Sequence, residues 1–140
     1  MGLDMYAYAA ARAGQQNEFY EGSTWDPELK EPVNPNVPRP REIAYWRKHP
    51  NLHGWMAEQW NQRNGGKADT NQFNGIELEL SWQDIDNLEA AVKARALPAT
   101  SGFFFGNEAD DYYYDHDLEF VKQARADLFL GLKVFYNSSW

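Results

Sequence analysis

The stretch "GIELELSWQD" (residues 75–84) constrains the fold more than any other part of the chain. Ile76, Leu78 and Leu80 alternate with Glu77 and Glu79, so this is a strand with one apolar and one charged face. A strand wet on one side belongs to a sheet whose core lies on the other. Ser81 follows at once, with Asp84 three positions on. That pair forms a capping box and predicts a helix directly after the strand. Ile85, Leu88, Ala91 and Val92 would form its buried stripe, and it should end before Pro98.

The rest of the chain is read around this strand–helix unit. Residues 2–10, with Leu3, Met5, Tyr6 and Tyr8, predict an opening strand. Residues 14–40 hold Pro27, Pro32, Pro35, Pro38 and Pro40 and predict a long Pro-rich surface loop, partly pinned by Phe19, Tyr20 and Trp25. From Arg41 the spacing of Ile43, Trp46, Leu52, Met56 and Trp60 predicts helix up to Gly65-Gly66, with Pro50 splitting it into two helices at an angle. A further helix is expected from Asp115 or Asp117, burying Leu118, Val121, Ala124 and Leu128 and ending at Gly131. "LKVFYNSSW" predicts a closing strand, with Val134 and Tyr136 opposed to Phe135. The expected fold class is α+β: one domain over residues 1–140, with a sheet of three or four strands and helices packed on one face.

Composition sets outer limits. The chain has 140 residues, enough to bury a core without staples. Its 16% aromatic content places much of that core on a few large rings. The absence of cysteine excludes a disulfide scaffold and thiolate zinc sites and fits a reducing cytoplasm. A net charge of −8 argues against binding bulk nucleic acid or an anionic membrane, while allowing one local basic pocket. No apolar run is long enough to span a bilayer, and "MGLDMYAYAAARAG" lacks the pattern of a secretory signal, so a cytoplasmic setting is expected.

"MGLDMY", "EIAYWRKHPNLHGW", "LPATSGFFFG" with "YYY" after it, and the final "SSW" together resemble a family of small phage and bacterial proteins. The resemblance spans nearly the whole chain apart from the Pro-rich segment. It implies a single domain in a phage-type context and directs attention to Tyr45, Trp46, Arg47, Lys48, His53, Trp55, Phe104, Gly106, Tyr113 and Trp140. Some members are labelled phosphoglycerate kinase. A two-domain kinase does not fit in 140 residues, and the chain carries no Gly-rich phosphate loop.

Four features could carry chemistry. His49 and His53 stand four apart, a spacing that lets two imidazoles share a metal, with His116 or a carboxylate as third ligand. Pro50 occupies the position where the zincin pattern has Glu, and core packing of the segment competes with that reading. Arg39, Arg41, Arg47 and Lys48 form the most basic stretch, mixed with Tyr45, Trp46 and Trp55. Arginine pairs with phosphate and flat rings stack on bases; a solvated helix face, with Arg47 and Lys48 pairing Glu58 or Glu42, is the competing reading. In "TSGFFFGNEADDYYYDHD" the glycines free the backbone around Phe103 to Phe105, and Glu108, Asp110, Asp111, Asp115, Asp117 and Glu119 gather without EF-hand spacing, so a solvated acidic turn leading into an N-capped helix competes with a weak divalent-cation site. Arg125, at the margin of an apolar stripe, reads as an anion clamp or as a partner for Glu119 or Asp127. No cysteine or nucleophile-elbow serine is present.

The expected function is therefore binding of a small anionic, nucleotide-like ligand, with sequestration of a host defence signal as one use. Trp46, Phe104 and Tyr113 would stack, Tyr45 would flank them, Arg47 and Arg125 would neutralise charge, and His53 would hydrogen-bond. No cofactor and no metal are expected. The alternatives are a host-protein-binding module with aromatic anchors on an acidic rim, and a small hydrolase or lyase using His53 or His116 with a carboxylate. Aromatic-rich sites are often completed by a second subunit, which admits a homo-oligomer.

Overall fold

The computed structural model describes residues 2–66, 70–98 and 108–140. The fold is α+β. Four strands form an antiparallel sheet: β1 (Asp4–Ala10), β4 (Arg41–Arg47), β5 (Leu78–Leu80) and β6 (Lys133–Ser139), in the order β4-β1-β6-β5. The register sets Met5 beside Trp46 and Ser138, and Ala7 beside Ala44 and Tyr136. These side chains are buried on the inner face, together with Val134, Leu78 and Leu80.

Against that face pack α2 (Pro50–Arg63), α3 (Trp82–Lys93) and α4 (Glu108–Phe129), through Leu52 and Met56, Ile85 and Leu88, and Phe120, Val121 and Ala124 respectively. The strand–helix unit at 75–84 forms as its sequence dictates. Leu78 and Leu80 are buried, Glu79 is exposed, and Ser81 and Asp84 make both bonds of the capping box. Ile76 differs: it precedes β5 and is 41% exposed.

Three expectations are corrected. Residues 41–47 are a strand, not a helix. Their burial alternates, with Ala44 and Trp46 inward and Tyr45 and Arg47 outward, so a period of two replaces the period of 3.6 suggested by Ile43 and Trp46. The β-branched and aromatic residues here suit a strand, and pairing with β1 decides the matter. Pro50 then starts α2 at its first turn instead of breaking a helix. Lys48, at φ 58°, makes the reversal between strand and helix.

The segment 14–40 is not structureless. It holds α1 (Gln15–Glu21) and a hairpin of β2 (Thr24–Asp26) and β3 (Glu31–Val33). Gly14, at φ 77°, turns the chain into α1. The Gln15 side chain accepts from Ala11 N–H and donates to the Pro38 carbonyl, tying both ends of the excursion together. Finally, α4 begins at Glu108, well before Asp115.

Candidate functional site

The N-terminal half of α4 lies along the free edge of β4. The Tyr113 hydroxyl accepts from Arg47 N–H and donates to the Arg47 carbonyl, both at 2.9 Å. His116 Nε2 donates to the Tyr45 carbonyl at 2.8 Å. These two side chains fill the ladder positions that a fifth strand would occupy. Beneath them, Asp117 is 1% exposed and accepts from Trp46 Nε1–H and from His49 Nε2–H, each at 2.8 Å. The carboxylate can only accept, so Nε2 carries a proton. The fully buried His49 ring stacks on Tyr113, with centroids 5.0 Å apart. Its Nδ1 lies 3.6 Å from Asp110 Oδ1, and neither atom has a hydrogen-bond partner. Asp110 Oδ2 accepts from Asn51 Nδ2 at 3.0 Å.

His53 points elsewhere. Its Nδ1 is hydrogen-bonded to the Tyr136 hydroxyl at 2.7 Å, and its ring packs on Phe73 and Trp140. Burial lowers the imidazole pKa to about 4 and raises that of the Tyr136 phenol. The two histidines four residues apart thus engage different partners. Among the described residues, no three His, Asp or Glu side chains gather as a metal set.

The remaining expected site residues divide between the outer sheet face and the helix layer. Tyr45 and Arg47 project outward from β4 and share Asp4, which accepts from the Tyr45 hydroxyl at 2.8 Å and from Arg47 at 3.1 Å. Trp46 is wholly buried on the opposite face. Arg125 bridges α4 to α3, donating to both oxygens of Glu89 and to Asp86. Glu89 first, then Asp86, raises the guanidinium pKa, and Arg125 lowers that of Glu89. The expected partners, Glu119 and Asp127, are not the ones used. Arg47 pairs with Asp4 and not with Glu58 or Glu42. Phe104 lies outside the described residues. Tyr45, Arg47 and Tyr113 therefore meet at one edge of the sheet, while Trp46, His53 and Arg125 belong to packed layers behind it.

The outer face carries a groove that the sequence reading did not assemble. It is lined by Tyr6, Tyr8, Gln16, Tyr20, Arg39, Pro40, Arg41 and Glu42 and encloses about 390 Å³. That volume lies within the usual range for small-molecule sites. The sheet supplies Tyr6 and Tyr8 from β1 and Arg41 and Glu42 from β4; α1 supplies Gln16 and Tyr20. Tyr8 donates to Glu77 at 2.6 Å, and Tyr6 contacts Tyr45 with centroids 5.2 Å apart. Arg39 pairs with Glu31 while lying 6.0 Å over the Phe19 ring, and Arg41 pairs with the buried Asp127. Both guanidiniums remain about half exposed, with donors to spare. The alternation of Asp4, Tyr6 and Tyr8 was the available signal for a tyrosine face. That α1 would fold over this face was not readable from spacing.

Among the described residues no helix is long and apolar enough to cross a membrane. No protein-family model, curated protein or solved structure matches the chain.

Proposed function

We propose that this chain is a binding domain of phage type that holds a small, planar, anionic ligand of nucleotide-like chemistry in the groove on the outer face of its sheet. The observation that carries the reading is the convergence of three tyrosines and two arginines on one cavity of about 390 Å³ in a chain of net charge −8. The half-buried ring of Tyr6 and the exposed ring of Tyr20 offer flat apolar surface to a base, with the buried Tyr8 forming the floor, and guanidinium forks match phosphate oxygens in pairs. Glu42 at the same rim would accept from an exocyclic amine or a sugar hydroxyl. Arg39 and Arg41 are each paired, with Glu31 and with Asp127, and both keep exposed donors at the rim for an anionic group. Sequestering a nucleotide signal is a use that fits a domain with such a groove and the family resemblance of its sequence.

Calorimetry with mono-, di- and cyclic nucleotides tests the proposal. At least one member of the panel should bind below the millimolar range. Arg39→Ala and Arg41→Ala should each weaken it about tenfold or more, in keeping with loss of a charge-assisted contact of about 1.5–3 kcal/mol. Arg125→Met, outside the groove, should leave affinity unchanged. Loss of binding in Arg125→Met instead would move the site to the one expected from the sequence. No binding by any member would sink the proposal.

A second reading, a protein-binding module, is favoured by Trp25 and Leu29 on the β2–β3 hairpin, which are 65% and 61% exposed amid Asp26, Glu28 and Glu31. Large apolar side chains on an acidic rim suit an interface anchor. Trp25→Ala with Leu29→Ala would abolish partner capture on that reading and leave nucleotide affinity intact. A hydrolase or lyase built on His53 or His116 would instead turn over a bound ligand, with loss in His53→Ala or His116→Ala.

A further inference from the structure

We infer that the notch between His49 and Asp110 is a binding site for a divalent first-row transition ion, separate from the outer groove. The two atoms that face each other, His49 Nδ1 and Asp110 Oδ1, are buried and have no hydrogen-bond partner. The far side of each group is tied down. Asp117 holds Nε2–H at 2.8 Å and is itself fixed by Trp46 Nε1–H, while Asn51 holds Asp110 Oδ2 at 3.0 Å. A ligating histidine usually donates its second ring N–H to a carboxylate, and a ligating carboxylate is usually hydrogen-bonded on its other oxygen. Both arrangements are present here, and they orient Nδ1 and Oδ1 into the same gap.

The spacing distinguishes among the species that could fill the gap. At 3.6 Å the atoms are too far apart to share a proton directly. A water about 2.8 Å from each would see them at about 80°, well short of the angle between its own two hydrogens. Metal–ligand bonds of about 2.1 Å from both atoms would meet at about 118°, near the tetrahedral and trigonal values. Charge points the same way. Two carboxylates flank one imidazole, and with Nε2 committed to Asp117, Nδ1 is the ring nitrogen that faces the gap and would be the one to bind a metal. A donor set of one imidazole nitrogen and one carboxylate oxygen suits Mn²⁺ through Zn²⁺ more than Ca²⁺. With two protein donors among the described residues, water or a ligand oxygen would complete the coordination. Lys48, at φ 58°, forms the turn that delivers His49, and strained backbone of this kind clusters at functional sites.

The test is titration of the full chain with Zn²⁺, followed by calorimetry and by ¹⁵N NMR of the histidine side chains. One equivalent should bind saturably and move the Nδ1 resonance of His49 alone, leaving those of His53 and His116 in place. His49→Gln and Asp110→Asn should each weaken binding at least tenfold, whereas Asp115→Asn, an exposed carboxylate on the same helix, should not. Should either buried variant fail to fold, the wild-type resonances decide alone. An unmoved His49 Nδ1, or affinity unchanged in both His49→Gln and Asp110→Asn, would overturn the assignment and leave only surface carboxylates binding zinc.

Discussion

At the scale of single residues, the two histidines of "HPNLH" show how position overrides identity. His49 lies between two carboxylates, whereas His53 bonds the Tyr136 hydroxyl and packs on Phe73 and Trp140. Burial lowers the His53 pKa from 6.5 to about 4. The consequence for stability has a definite sign. Between these values the unfolded chain binds a proton at His53 that the folded chain does not, so stability falls as pH drops. It is fully present above pH 6.5, and about 3 kcal/mol is lost by pH 4, at about 1.4 kcal/mol per unit. Urea unfolding at steps from pH 7 to pH 4 should show this loss in the native chain and not in His53→Gln. An imidazole that titrates near pH 6.5 in the folded protein by NMR would contradict it. The four-residue spacing was visible in the sequence, but the partners were not, because Tyr136 and Asp117 lie 83 and 68 positions away.

At the scale of elements, legibility follows the range of the forces involved. The β5–α3 junction was readable because alternation and a capping box are local. β4 was misread because Ile43 and Trp46 fit a helical stripe as well as a strand, and its decisive partner is β1, some 40 residues earlier. The start of α4 was misplaced for a related reason. A run of Asp and Tyr reads as a turn, yet Asp110, Tyr113 and Asp117 fall on one helical face and dock on β4 and His49. That docking makes Tyr113 an edge-capping residue. Tyr113→Phe removes the hydroxyl that serves both Arg47 N–H and its carbonyl, at a cost of about 1–2 kcal/mol. It also uncovers strand edge that another chain could pair with. The variant should lower the urea midpoint and raise concentration-dependent association in light scattering. A variant that is destabilised but remains monodisperse would confine the role of Tyr113 to packing.

At the scale of the whole molecule, the sheet separates two regions with different depth of burial. The inner face joins α2, α3 and α4 in one large apolar cluster. The outer face has a small one, Tyr8, Ala10 and Phe135. The excursion over that face is held by Phe19, by the Gln15 side chain, and by Glu77, which accepts from Tyr8 and from Gly14 N–H. Opening it would expose Phe19 and the small cluster of Tyr8, Ala10 and Phe135, whereas opening the inner layer would expose the core. The groove proposed for ligand binding lies at this boundary, walled by the sheet on one side and α1 on the other. Binding sites are often drawn from the less stable parts of a fold. Amides of α1 and the β2–β3 hairpin should therefore exchange at least about tenfold faster than those of β1 and β6 in the native chain, a difference of about 1.4 kcal/mol or more in opening free energy. Glu77→Ala should widen that gap, and a ligand seated between Tyr20 and Tyr6 should narrow it by bridging the two regions. Equal protection across both regions would mean that the excursion opens only with the core, and the groove would then be a rigid surface instead of one that closes on its ligand.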